Sequence, residues 1–284
     1  MKHTVTTLHK QKIDGDKITM LTAYDYYTAR LMDEAGIECI LVGDSLGMVM
    51  LGYEDTLAVT MEDMIHHTRA VARGASKALV IADLPFMSYQ TSVYDAVVNA
   101  GRLVKEGRAA AVKLEGGEVI APQIKAIVEA SIPVVAHLGL TPQSVNAFGG
   151  FKVQGKDEAA AVKLLADARA AQAAGAFMVV IECVPEKLAR LVTRELDIPV
   201  IGIGAGAGCD GQVLVYQDML GMYGGIAPKF AKQFADMGAA MKAAFMAYGD
   251  QTKAGTFPGP EHVFSISDEV MAAVQKVAAH GKGA

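Results

Sequence analysis

The sequence predicts an α/β protein built as one (β/α)8 TIM barrel over residues 1–284. Three observations carry that expectation. Eight short apolar runs rich in Val, Ile and Leu recur along the chain, each with a polar residue or glycine at its end. Such runs read as parallel strands buried on both faces. Segments with helical spacing of apolar residues alternate with them, the grammar of a βα fold. The chain has 284 residues, 52% of them hydrophobic, with no Pro-, Ser- or charge-rich linker inside it. That length suits the roughly 250 residues of a single barrel.

The strands follow in order as "KITMLTAY" (17–24), "CILVGDS" (39–45), "ALVIADLP" (78–85) and "AAAVKLEG" (109–116). The second half supplies "IPVVAHLG" (132–139), "AFMVVIEC" (176–183), "IPVIGIGAG" (198–206) and "QVLVYQDMLG" (212–221). Helices fit between them. "YDYYTARLMDEAG" has helical spacing and stops at Gly36, and "TMEDMIHHTRAVARG" opens on Thr60 with acids in its first turn. "SVYDAVVNAGRLVKEG" and "KDEAAAVKLLADARAAQAAG" also end in glycine. A short helix before the first strand and an extra one after the barrel account for the ends. Residues 255–262, "GTFPGPEH", connect to that last helix. A doubly wound sheet is the competing architecture, but it typically has roughly five to seven strands.

Composition narrows the function. The net charge of −5 leaves no basic footprint for nucleic acid. Cys39, Cys183 and Cys209 are far apart, with no C-x-x-C spacing for zinc or redox work. The first twenty residues have no apolar core of a signal peptide. No apolar run approaches the roughly 20 residues of a membrane helix. The expectation is a cytoplasmic protein with reduced thiols and no membrane or nucleic-acid partner.

Barrel enzymes carry their chemistry at the carboxyl ends of the strands. There the sequence places Asp44 and Ser45, Asp83, Lys113 and Glu115, His137, and Glu182 on five adjacent strands. Each alone reads as a helix cap, a packed ion pair or a satisfied core histidine. Together they place four carboxylates, one lysine and one histidine on one rim, which structure alone explains poorly, because buried charge is costly. Lys113 and Glu115 are two apart and share a strand face, and Val42 and Asp44 share one by the same count. Oxygen ligands without a His/Cys cluster suit a hard cation such as Mg²⁺. Asp44 and Asp83 are the direct pair, and Glu115 is a third ligand or anchors a bound water. His66 and His67, mid-helix, read as an exposed or partly packed pair.

Gly206, Gly208 and Gly211 spell G-x-G-x-x-G. A dinucleotide site needs that pattern in the first βα turn, with an acid about 20 residues on. Here it follows the seventh strand, and Asp218 comes too early. The glycines are expected instead to let backbone approach a ligand or a neighbouring loop at the barrel mouth.

The blocks "VGDSLGMVMLGY" (42–53), "ALVIADLPFMSYQ", "AAAVKLEGG", "GLTPQSVNAFGGFKVQG" (139–155), "IECVP" and "IGIGAGAGCDGQVLVYQDMLG" resemble the ketopantoate hydroxymethyltransferase family. The resemblance spans about residues 3–265 and implies a barrel of the phosphoenolpyruvate/pyruvate type. It implies transfer of a one-carbon unit from 5,10-methylenetetrahydrofolate, a co-substrate, to 3-methyl-2-oxobutanoate. The product is 2-dehydropantoate, on the way to pantothenate and coenzyme A. It also implies one Mg²⁺ per subunit and a cytoplasmic homo-oligomer, a decamer of two pentameric rings. By the family motifs, Asp44, Asp83 and Glu115 serve the metal. Ser45, Asp83 and Lys113 contact the keto acid, and Glu182 accepts the proton. On chemical grounds Asp44 is expected to meet the same substrate at the cation, and His137 to hydrogen-bond its carboxylate or keto oxygen. The alternative within such barrels is a Mg²⁺-dependent carbon–carbon lyase or mutase acting on a 2-oxo acid.

Overall fold

The computed structural model describes residues 2–222 and 228–280. Contacts divide the chain into two compact units, Met1–Ala235 and Asp236–Ala284. The first is the barrel. It opens with α1 (Val5–Asp14), then β1 (Ile18–Thr22), α2 (Tyr26–Glu34), β2 (Cys39–Val42), the one-turn α3 (Leu46–Val49) and α4 (Met61–Gly74). Next come β3 (Leu79–Asp83), α5 (Val93–Lys105), β4 (Ala111–Glu115), α6 (Ala121–Glu129), β5 (Val134–Gly139), α7 (Val145–Phe148) and α8 (Glu158–Ala173). The unit finishes with β6 (Met178–Glu182), α9 (Glu186–Glu195), β7 (Val200–Ile203), β8 (Gly211–Leu214) and α10 (Tyr216–Met219).

The eight strands form a closed barrel in sequence order, each parallel to its neighbours. The seam is β1 against β8, from Ile18 opposite Gly211 to Leu21 opposite Leu214. Alternation along each strand sorts the side chains into two cores. Residues such as Met20, Leu41, Ile81, Ala111, Val135, Val180 and Ile201 fill the interior, with Leu8 of α1 among them. Val42, Val80, Val112, Ala136 and Val179 face outward into the core beneath the helices.

Caps begin the helices where short polar residues stand in the sequence. Thr60 and Asp63 form a capping box on α4, Ser92 caps α5, and Asp157 caps α8.

Two expectations are corrected here. The last strand is expected to run to residue 221 but stops at Leu214, and Tyr216–Met219 turns helical. The Tyr216 amide leaves the ladder and donates to Thr22 Oγ1 at 3.2 Å. No helix separates β7 from β8; residues 204–210 join them directly. The G-x-G-x-x-G pattern lies in and just beyond that loop, where its glycines serve packing. Gly206 has φ +80°, and a Cβ there would strike the Glu186 side chain. A Cβ on Gly208 would lie 2.9 Å from Arg190 Cβ, and one on Gly211 would strike the Ile18 carbonyl at the seam. The close approach is to α9 and β1.

The second unit holds α11 (Met237–Ala254) and α12 (Asp268–His280). Asp236 caps α11, and Gly255 ends it at φ +70°. The 255–262 connection folds back on α11 through Tyr248 and Phe257, whose ring centroids are 5.7 Å apart. No residue of α11 is buried.

Candidate active site

Strand alternation carries the interior pattern upward to the carboxyl ends and changes its chemistry there. Above Ile81, Ala111, Val135 and Val180 stand Asp83, Lys113, His137 and Glu182 in the same phase, with Glu115 one step above Lys113. The register sets Asp83 opposite Lys113 and Glu115 opposite His137. Asp83, Lys113, Glu115 and His137 are all buried, while Glu182 keeps slight exposure.

Asp44 arrives by another route. The strand count places it with Val42, but Val42 points into the outer core. The inward position at this level is Gly43, where a Cβ would lie 2.8 Å from Ser45 Oγ and 3.5 Å from Asp83 Oδ2. The chain leaves the strand after Val42, and the loop brings Asp44 back over the mouth, buried. The backbone N–H of Asp44 donates to Asp83 Oδ2 at 3.0 Å.

The three carboxylates share one arrangement: each has one oxygen held by a protein N–H. Asp83 Oδ2 takes the Asp44 amide, and its Oδ1 makes no hydrogen bond, only an ion pair at 3.1 Å to Lys113 Nζ. Asp44 Oδ2 accepts from Gln143 Nε2 at 2.8 Å. Glu115 Oε2 accepts the Gln143 backbone N–H at 2.9 Å, and its Oε1 has no hydrogen-bond partner. Lys113 Nζ also donates to His137 Nδ1 at 3.2 Å. A histidine that accepts on Nδ1 carries its proton on Nε2. That nitrogen lies 3.2 Å from Glu182 Oε2, out of hydrogen-bond alignment. The same tautomer leaves Glu115 Oε1 unserved, although it is 3.4 Å from Nδ1.

Three buried carboxylates around one ammonium would leave an excess of two negative charges if all were ionised. The acidities record it. Burial, then the charges of Asp83 and Glu115, push Asp44 well above the usual carboxylate range against the pull of Lys113 and Gln143. Burial raises Glu115 to about 8, with Lys113 and the Gln143 N–H opposing. Burial works against the Lys113 charge, but Asp83, Glu115 and Asp44 outweigh it and raise its pKa. His137 is held neutral, first by burial and then by Lys113. Among the described residues, no group of three or more His, Cys, Asp and Glu forms a ready-made metal cage. The buried Asp83 Oδ1 and Glu115 Oε1, which make no hydrogen bond, and the two carboxylates in excess over the ammonium nevertheless fit Mg²⁺, which takes one or two carboxylates and keeps waters elsewhere.

Ser45 stands at the start of α3, half-buried, its Oγ 2.9 Å from the Tyr24 hydroxyl. The structure thus brings together Asp44, Asp83, Lys113, Glu115, His137 and Glu182, with Ser45 beside Asp83 across Gly43. His66 is exposed, and His67 binds the Tyr24 carbonyl at 2.7 Å, away from this chemistry. Sequence reasoning missed Gln143 and Tyr89. Both lie in quoted blocks, but their loops follow no periodicity that predicts a direction.

A closed parallel barrel with buried charge at the carboxyl ends of its strands has the architecture of a (β/α)8-barrel enzyme. The solved structures agree on the fold. Phosphonopyruvate hydrolase in complex with oxalate and Mg++ aligns at TM-score 0.58 with 14% identity, over 98% of each chain. 2,3-Dimethylmalate lyase, a PEP mutase/isocitrate lyase superfamily member, aligns at TM-score 0.58 with 18% identity, over 99% of each. A model of the ketopantoate hydroxymethyltransferase family matches residues 2–260. The 3-methyl-2-oxobutanoate hydroxymethyltransferase of Clostridium novyi is 68% identical over 95% of this chain and 98% of its own. That of Enterococcus faecalis is 67% identical over the same shares. The chain belongs to the ketopantoate hydroxymethyltransferase family and is an enzyme.

Proposed function

We propose that this enzyme transfers a hydroxymethyl group from 5,10-methylenetetrahydrofolate to 3-methyl-2-oxobutanoate, giving 2-dehydropantoate for pantothenate synthesis. One observation carries the reading of the site. Three buried carboxylates, each with one oxygen held by a protein N–H, face a single buried ammonium. Asp44 and Asp83 would hold Mg²⁺, with Glu115 as third ligand or as anchor of a bound water. Bound there, the cation supplies a Lewis acid that draws charge from the keto oxygen.

The chain's own groups do the rest. Lys113 neutralises the substrate carboxylate, and the Ser45 hydroxyl, steadied by Tyr24, hydrogen-bonds it. Glu182 removes the proton from C3, and the electron pair of that C–H bond becomes nucleophilic at C3. His137, with its proton on Nε2, meets the substrate oxygens beside Glu182, whose Oε2 lies 3.2 Å away. Water adds to the methylene carbon as its two carbon–nitrogen bonds break, releasing tetrahydrofolate and formaldehyde; C3 then bonds to the formaldehyde carbon as the C=O π pair moves to oxygen, which takes a proton and becomes the new hydroxyl. The family resemblance supports a cytoplasmic homo-oligomer, a decamer.

The test is direct. The protein with 3-methyl-2-oxobutanoate, Mg²⁺ and methylenetetrahydrofolate should form dehydropantoate, and EDTA or omission of the folate should each abolish it. Cleavage of a 2-oxo acid without folate would favour the lyase reading instead.

A further inference from the structure

We infer that Gln143 is a positioning residue that holds one oxygen of Asp44 and one of Glu115, and so decides which oxygen each presents to a divalent cation. The inference rests on the proposed metal site and goes beyond it, because Gln143 itself ligates nothing.

Gln143 is buried on the loop after β5. Its Nε2 faces two acceptors, Asp44 Oδ2 at 2.8 Å and the Leu84 carbonyl at 3.0 Å. Its Oε1 faces two donors, the Tyr89 hydroxyl at 2.7 Å and Gln90 Nε2 at 3.1 Å. The flipped amide would set donor against donor and acceptor against acceptor, so its orientation is determined by the partners. Tyr89 is itself held, since its hydroxyl accepts the Glu115 backbone N–H at 3.1 Å. The Gln143 backbone N–H takes Glu115 Oε2 at 2.9 Å. Two of the three anchored oxygens in the site therefore belong to this one residue, and the third is held by the Asp44 amide. Loops from β2, β3 and β5 meet at it. Glu115 Oε1, without a hydrogen bond, and Asp83 Oδ1, paired only with Lys113, are oxygens that the anchors leave over. Partners of this kind around metal-binding groups are typically worth roughly 10–100-fold in metal affinity or activity.

The probe is Mn²⁺ alone, titrated into the full chain and followed by electron paramagnetic resonance, with Mg²⁺ competing. Gln143→Ala removes the side-chain amide and keeps the backbone N–H, while Gln143→Met also keeps the length and bulk. Both should bind Mn²⁺ about 10–100-fold more weakly than the wild type. Tyr89→Phe, which unlocks the amide, should weaken binding in the same direction by less. In turnover, the KM for Mg²⁺ should rise by a similar factor, with kcat at saturating Mg²⁺ retained within about threefold, the pattern of lost ground-state binding. Melts in EDTA report whether each variant folds; if Gln143→Ala does not, Gln143→Met and Tyr89→Phe carry the test. Wild-type Mn²⁺ affinity in Gln143→Met overturns the inference. Asp44→Asn and Asp83→Asn separate the two levels. If they bind like wild type, the metal site itself is wrong. If they lose binding while Gln143→Met keeps it, only the positioning role falls.

Discussion

Single residues in the barrel mouth do work that their neighbours define. Lys113 remains charged in a buried place because Asp83 stands 3.1 Å away, and it can do so only with a partner there. His137 is held toward its neutral form first by burial and then by that same ammonium on its Nδ1 side. Its remaining proton lies on the side of Glu182, the most exposed carboxylate of the group. Glu182→Gln should bind the keto acid with little change but slow C3 proton exchange by roughly 10²–10⁴-fold, the usual worth of a general base. Deuterium exchange at C3 followed by NMR checks it, and exchange at the wild-type rate would remove Glu182 from the role.

Among the elements, strand ends and loops set the site. The phase of β3 to β6 delivers Asp83, Lys113, Glu115, His137 and Glu182 as one tier above an apolar interior. The end of β2 works differently, since Gly43 leaves the inward position empty and lets Asp44 close over it. At the far side, the β7–β8 loop needs glycine for contact with α9. Gly206→Val adds a β-branched side chain at φ +80° against Glu186. It should cost about 2–4 kcal/mol of stability from backbone strain and overpacking together. The KM for the keto acid should stay near wild type. Urea denaturation beside steady-state kinetics checks this; a stable variant with a raised KM would return the loop to a ligand-lining role.

Taken as a molecule, the barrel holds more acid than it can neutralise, so its stability is linked to pH and to cations. Glu115 rises from an ordinary 4.5 to about 8 in the folded, metal-free protein. A raised folded pKa contributes stability that is fully present below 4.5 and is lost as pH rises through about 8. Mg²⁺ takes the ionised form, so its stabilising effect should grow across that same window. The Tm difference between Mg²⁺ and EDTA should be small near pH 5. It should widen toward pH 8 to about 5–10 °C at a hundredfold excess over Kd. Taking the difference cancels much of the opposite, acid-side contribution of His137. A difference that stays flat with pH would show that carboxylate ionisation is not coupled to cation binding.

The sequence by itself determined the barrel and most of the side chains that stand at its strand ends. Eight apolar runs with polar ends dictate buried parallel strands, and spacing by two puts Lys113 and Glu115 on one face, because side-chain direction in a strand is local. Caps such as Thr60 with Asp63 are equally local. Only the tertiary structure decided what lies off the strands. Asp44 has the wrong phase for its strand and reaches the site through a loop, Gln143 and Tyr89 enter from turns, and the G-x-G-x-x-G glycines answer to α9 and β1. Loop backbone has no fixed period, so the direction of its side chains is set by partners far away in the chain: Gln143 meets Asp44 across 99 residues.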